Sequence, residues 1–110
     1  MDTIITVRMD GTRCHIAMPD DWLKTKVYVP GHKTFILTQP IKNRSRRAWE
    51  SETSSACDFP LHLQDTIRID AYDGDGESQL LSVEYTLTDE GLVLKDEING
   101  GLGVQVVIEQ

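Results

Sequence analysis

The sequence has few cysteines, few aromatic residues and no long hydrophobic run, and each shortage excludes a class of protein. Its two cysteines, Cys14 and Cys57, are too few for a disulfide framework. They stand in different settings, so we expect free thiols and a reducing, cytoplasmic location. No apolar run is long enough to cross a bilayer, and the first residues alternate like a strand instead of forming a secretory signal. We therefore expect no membrane partner.

The composition is typical of one globular domain. With 110 residues, 39% hydrophobic and 26% charged, the chain can bury a core without help from a metal or a disulfide. We therefore expect a single β domain over residues 1–110. The pattern neither specifies nor excludes a homo-oligomer.

Charge is distributed unevenly along the acidic chain, whose net charge is -7. Residues 1–49 contain nine Lys/Arg and four acids, whereas residues 50–110 contain two Lys/Arg and fourteen acids. If strands from the two halves become neighbours, these charges neutralise one another. If they do not, the protein presents a large acidic face, which would attract a cationic partner.

The first clear structural signal is a β-hairpin around Asp10-Gly11. This dipeptide favours a two-residue turn with both residues at positive φ. Met9 would then pair with Thr12, and alternation would place the apolar residues on one face, toward the core. These residues are Ile5, Val7, Cys14 and Ile16.

A second hairpin is predicted around Pro30-Gly31-His32. A three-residue connection places Val27 opposite Phe35, whereas a two-residue connection would pair Val27 with Thr34. Matching apolar residues across the strands favours the longer connection.

The acidic half predicts a series of further hairpins. The turn at residues 73–78 would set three apolar pairs against one another: Ala71 with Leu81, Ile69 with Val83, and Ile67 with Tyr85. A turn at residues 89–91 leaves open whether Leu92 and Leu94 or Val93 point inward. A last turn at Asn99 to Gly101 would pair Leu94 with Val106, which favours the first choice.

Together these patterns predict an all-β fold with about eight antiparallel strands joined mainly by hairpins. The arrangement would be a β-sandwich or a partly open barrel. One or two short helices are expected, at Pro19 to Leu23 and after Asn43 or Ser45.

The stretch from residue 39 to 64 fits no strand pattern and predicts a long loop or short-helix insertion. It contains a basic and aromatic cluster made of Arg44, Arg46, Arg47 and Trp49. Arg and Trp are typical of protein-binding hot spots, so we assign these residues to partner binding. The alternatives are a solvated loop against the acidic half, or a nucleic-acid contact, which the net charge disfavours.

An acidic turn brings four carboxylates together within eight residues: Asp70, Asp73, Asp75 and Glu77. Loop carboxylates are calcium ligands, so a weak calcium site is one hypothesis. The spacing differs from that of an EF-hand, and Asp and Gly are also the ordinary residues of β-turns. A structural turn with solvated acids is the preferred interpretation, and no cofactor is expected.

No catalytic motif stands out, because the three histidines are scattered and no nucleophile elbow or phosphate loop is present. The leading hypothesis is a non-enzymatic cytoplasmic binding module, of inhibitor or adaptor type. It would recognise another protein through the long loop and the acidic turns. The alternatives are a calcium-assisted ligand-binding β domain, and a small enzyme whose site is assembled only in three dimensions.

Overall fold

A computed structural model describes residues 3–18, 23–38, 55–73, 78–101 and 103–109. Nine strands make up this part of the chain. They are β1 (Thr3–Asp10), β2 (Arg13–Ala17), β3 (Leu23–Tyr28), β4 (Phe35–Thr38), β5 (Ala56–Pro60), β6 (Thr66–Asp73), β7 (Gln79–Thr88), β8 (Gly91–Asn99) and β9 (Val104–Glu109).

The strands form two sheets that pack against each other around one hydrophobic core. The smaller sheet has the order β5-β2-β1-β9, and the larger has the order β4-β3-β6-β7-β8. At one side of the sandwich β4 contacts β5, and at the other β9 contacts β7 and β8. The predicted all-β sandwich is therefore confirmed, with nine strands instead of eight and no helix among the described residues.

The β1–β2 hairpin has the predicted core face but a different register. Asp10 pairs with Arg13 and Met9 with Cys14, a shift of two residues from the expected pairing. Because Asp10 pairs with Arg13, the two residues of the turn are Gly11 and Thr12. Gly11 has a φ of 62°, and neither of its neighbours has a positive φ. Only the first central residue then needs the left-handed region, which glycine reaches without strain. A two-residue shift preserves alternation, and the four predicted core residues remain fully buried.

Two other predicted hairpin registers, β3–β4 and β6–β7, are confirmed. Val27 lies opposite Phe35 across β3 and β4, and all three apolar pairs predicted between β6 and β7 form. In the β7–β8 hairpin, Leu92 lies opposite Leu87 and packs against the core, whereas Leu94 lies opposite Tyr85 and is 49% exposed. The prediction that both leucines point inward is therefore confirmed for Leu92 and wrong for Leu94.

The predicted hairpin between β8 and β9 is wrong. The chain instead crosses to the smaller sheet, where β9 pairs in parallel with β1 and places Val106 beside Ile5. Gly101 and Gly103 adopt φ angles of 70° and 81°, so the backbone is redirected twice within three residues. The turn-forming residues are compatible with both a β8–β9 hairpin and a crossover to the smaller sheet. Packing of Val106 and Ile108 against the core selects the crossover.

Part of the predicted 39–64 loop is a strand. β5 pairs with β2 and inserts Phe59 into the core, where its ring stacks on Phe35 at a centroid distance of 5.5 Å. Because Phe35 and Phe59 belong to different sheets, this contact joins the two layers at one side. Both predicted short helices begin outside the described residues. No helix in the described part is long and apolar enough to span a membrane.

Candidate functional site

The outer face of the larger sheet carries a group of charged and aromatic side chains, here called the outer cluster. Its members come from the adjacent strands β3 and β6: Lys26, Tyr28, Arg68, Asp70 and Tyr72. Alternation along β6 directs Ile67, Ile69 and Ala71 into the core, so the residues between them face outward. Antiparallel pairing then sets Lys26 opposite Asp70 and Tyr28 opposite Arg68.

Asp70 is the most unusual member of the outer cluster because it lies on a solvent-facing side of the sheet and yet is only 3% exposed. The Ser82 hydroxyl on β7 donates a hydrogen bond to its Oδ1 at 2.6 Å. The Arg68 guanidinium Nη2 lies 3.2 Å from its Oδ2. A buried carboxylate is tolerated when it is paired and hydrogen-bonded in this way.

Two cations lie over the two tyrosine rings of the outer cluster. The Arg68 guanidinium is 4.3 Å from the centre of the Tyr28 ring, and the Lys26 ammonium is 5.3 Å from the centre of the Tyr72 ring. Both distances are within the range of a cation–π contact. Burial, with the nearby Asp70 carboxylate adding to it, raises the pKa of Tyr72 above its ordinary value. Tyr72 is therefore neutral at physiological pH.

Charge is graded across this outer face. β3 and β6 contribute Lys24, Lys26 and Arg68, with the buried Asp70 as the opposing charge. The neighbouring β7 and β8 contribute Glu84 and Asp96, which lie opposite each other. Strands from the basic half, β3 and β4, thus lie beside strands from the acidic half in one sheet, and its outer face has a cationic side and an anionic side.

The four residues predicted to bind a partner, Arg44, Arg46, Arg47 and Trp49, lie outside the described residues. Their role stays a prediction. They belong to the connection between β4 and β5, and β4 is the neighbour of β3 in the larger sheet.

The predicted calcium ligands are only partly covered by the structure, since Asp75 and Glu77 lie outside the described residues. Asp70 is engaged by Ser82 and by a guanidinium, and that positive charge opposes a bound cation. Asp73 ends β6, and its backbone N–H donates to the Ser78 carbonyl. Within the described ranges no three His, Cys, Asp or Glu residues are grouped to hold a metal ion. The calcium site stays a prediction, and a melting-temperature shift in millimolar calcium would test it.

The two cysteines are unsuited to nucleophilic chemistry at neutral pH. Both are free thiols: Cys14 is buried, and Cys57 is half-buried against the core. Burial raises the pKa of each thiol to about 12. The reactive thiolate is therefore almost absent near pH 7.

Three polar residues, Arg13, His15 and Asp58, are grouped on the outer face of the smaller sheet. Arg13 forms an ion pair with Asp58 at 3.0 Å, and His15 lies 3.7 Å from the same carboxylate. The hydrogen bond from Arg13 holds the pKa of Asp58 below its ordinary value. Both Arg13 and Asp58 are well exposed, so this pair has little energetic value beyond local ordering.

Sequence reasoning missed the outer cluster. The sequence does show the alternation that places its polar and aromatic residues on one face of β3 and on one face of β6. The pairing of β3 with β6, however, joins residues forty to fifty positions apart, with β4 and β5 between them along the chain. Comparison of the chain with protein-family models, with curated proteins and with solved structures finds no match.

Proposed function

We propose that this protein is a non-enzymatic cytoplasmic module that binds another protein, and that the outer cluster is the centre of the contact. The observation that carries this proposal is the pairing of two tyrosines with two cations above a buried carboxylate on a solvent-facing sheet surface. Tyrosine and arginine are the residue types most often found at binding hot spots. The exposed face of a sheet is ordinarily covered by polar side chains that contact water, so it does not need such an arrangement.

Preorganisation supports the same proposal. Arg68 is held on one side by Asp70 and on the other by the Tyr28 ring. Side chains already fixed in the free protein lose less conformational entropy when a partner binds. The guanidinium has five N–H donors, and its pairing with Asp70 leaves some of them able to reach a partner.

The expected partner surface is acidic with an adjacent apolar side chain. On β3 and β6 the outer face combines Lys24, Lys26 and Arg68 with a single buried carboxylate. Ile36 of β4 lies opposite Lys26 of β3 and is 38% exposed, so it adds an apolar contact next to the cations. A nucleic acid fits less well because the whole chain has a net charge of -7. The predicted contacts at Arg44 to Trp49 would extend this surface from the end of β4.

The test begins with a photo-crosslinking amino acid placed at Tyr28 or Tyr72 in the protein expressed in its source cells. We expect one discrete crosslinked protein from these positions. The same amino acid at His15, on the outer face of the smaller sheet, should not give it. Failure of both outer-cluster positions to crosslink a protein would overturn the proposal.

Binding of the identified partner is then measured with a matched pair of charge reversals. Lys26→Glu should weaken binding by about tenfold or more, the scale of a hot-spot residue. Arg8→Glu makes the same charge change on the exposed face of the smaller sheet and should have little effect. Equal losses from the two substitutions would indicate a general charge effect, and the outer cluster would not be the contact.

A further inference from the structure

The β8 strand presents a long edge on which no described strand pairs. β8 is the last strand of the larger sheet, and β7 pairs along its other side. Three of its large apolar residues are exposed: Val93 is 46%, Leu94 49% and Ile98 70% exposed. Edge strands of soluble proteins are usually short or heavily charged, because unpaired backbone groups attract other strands. A nine-residue edge with exposed apolar side chains therefore suggests use as an interface.

The middle of β8 interrupts this edge. Leu94 lies opposite Tyr85 and Asp96 opposite Glu84, so Lys95 is an extra residue that forms a β-bulge. The bulge separates two regularly paired stretches, residues 91–94 and 96–99. Together with the charges at Lys95, Asp96 and Glu97, it hinders pairing with an arbitrary strand.

Pairing with a second copy of β8 makes the charges of Lys95 and Asp96 complementary, and also the exposed apolar residues Val93 and Ile98. In an antiparallel arrangement with a two-fold axis between residues 95 and 96, Lys95 faces Asp96 of the second copy. Val93 then faces Ile98 of the second copy, and the two bulges meet at the axis. A shift of one residue in either direction would set Lys95 against Lys95 or Asp96 against Asp96, and like charges directly opposite are destabilising. The charges therefore disfavour both neighbouring registers.

We propose that a second copy of this chain binds along β8 in that register, giving a two-fold dimer with one continuous sheet. A two-fold interface requires such a self-complementary surface. Pairing of one strand with few apolar side chains buries less than the roughly 1,600 Å² of a standard interface, so the dimer is weak, with a micromolar dissociation constant. The outer cluster lies on β3 and β6, away from this edge, so dimer formation is independent of the proposed function.

Sedimentation velocity across the micromolar range tests the proposal with charge exchange. The unmodified chain should dimerise. Lys95→Asp alone and Asp96→Lys alone should each raise the dissociation constant about ten- to a hundredfold, because the two-fold axis repeats the altered pair. A mixture of these two variants should form a heterodimer, since every Asp then faces a Lys. The double variant Lys95→Asp/Asp96→Lys should recover the affinity of the unmodified chain.

Two exposed turn residues provide controls for net charge. Lys33→Asp makes the same charge change as Lys95→Asp, and Glu90→Lys the same change as Asp96→Lys, and both should dimerise normally. Circular dichroism of every variant checks that it is folded. A chain that stays monomeric throughout the concentration range would overturn the proposal. This result would also be obtained if β8 instead received an extended segment of another protein. A dimer that ignores the single substitutions, or a mixture that fails to associate, would overturn the assigned interface.

Discussion

Replacing Asp70 with alanine tests whether the buried carboxylate holds the outer cluster together. Removing one partner of a fully buried ion pair typically costs about 3 to 5 kcal/mol. Arg68 has 46% of its side chain exposed, however, so its guanidinium can be rehydrated and most of that penalty is avoided. The Ser82 hydroxyl loses its acceptor, which costs about 1 kcal/mol, and the lost charge-assisted contact costs a similar amount. We therefore expect Asp70→Ala to lower the free energy of unfolding by about 2 kcal/mol.

The assay is urea denaturation followed by circular dichroism, with the midpoint and slope measured for each variant. Asp70→Asn retains an acceptor for Ser82 and loses only the charge, so its loss should be smaller than that of Asp70→Ala. Ser82→Ala should cost about 1 kcal/mol, and the Asp70→Ala/Ser82→Ala double variant should lose less than the sum of the singles. Asp89→Ala, in an exposed turn, is the control and should stay within about 0.5 kcal/mol of the unmodified chain. Equal stability of Asp70→Ala and Asp89→Ala would refute the reasoning, as would fully additive losses.

Two further predictions concern pH. The hydrogen bond from Arg13 is the main reason that the pKa of Asp58 is lowered in the folded protein. The ionised Asp58 carboxylate therefore stabilises the fold at pH values above its unfolded pKa of about 3.9, and this stabilisation is lost as the pH falls through the lower folded pKa. Urea midpoints of Arg13→Ala should therefore fall less steeply in acid than those of the unmodified chain, and parallel pH profiles would contradict this. The Cys14 and Cys57 thiols have folded pKa values of about 12, so stability should decrease as pH rises above the ordinary thiol range near 8.5. A thiol reagent at pH 8 should label the native protein slowly and the urea-unfolded protein quickly, and rapid native labelling would contradict thiol burial.

Local pattern was sufficient for much of the fold. Alternation identified the core residues of β1 and β2 even though the turn type, and hence the register, was wrong by two residues. The face survived because the side-chain period of a strand is two, so an even shift leaves every residue on its side. The β6–β7 register was predicted correctly, since the apolar pairs and the turn length between neighbouring strands constrain each other.

Strand order could not be predicted from local pattern. The Asn99 to Gly101 turn is as compatible with a hairpin as with a crossover, and only packing of β9 beside β1 distinguishes them. Sequence pattern alone does not predict β5 as a strand, because its residues Ala56–Pro60 are mostly polar or small. Its identity as a strand depends on pairing with β2, and its anchor is the contact of Phe59 with a ring from the opposite sheet.

The outer cluster was likewise determined partly by the sequence and partly by the tertiary structure. The sequence by itself determined that Lys26 and Tyr28 share one face of their strand, and that Arg68, Asp70 and Tyr72 share one face of theirs, because side chains alternate along every strand. Tertiary structure decided that these two faces are the same side of one sheet. The cation–π contacts and the burial of the Asp70 carboxylate depend on the pairing of β3 with β6. Backbone hydrogen bonds between two strands can form in many registers. Burial of the apolar side chains beneath the sheet selects the register that aligns the outer cluster.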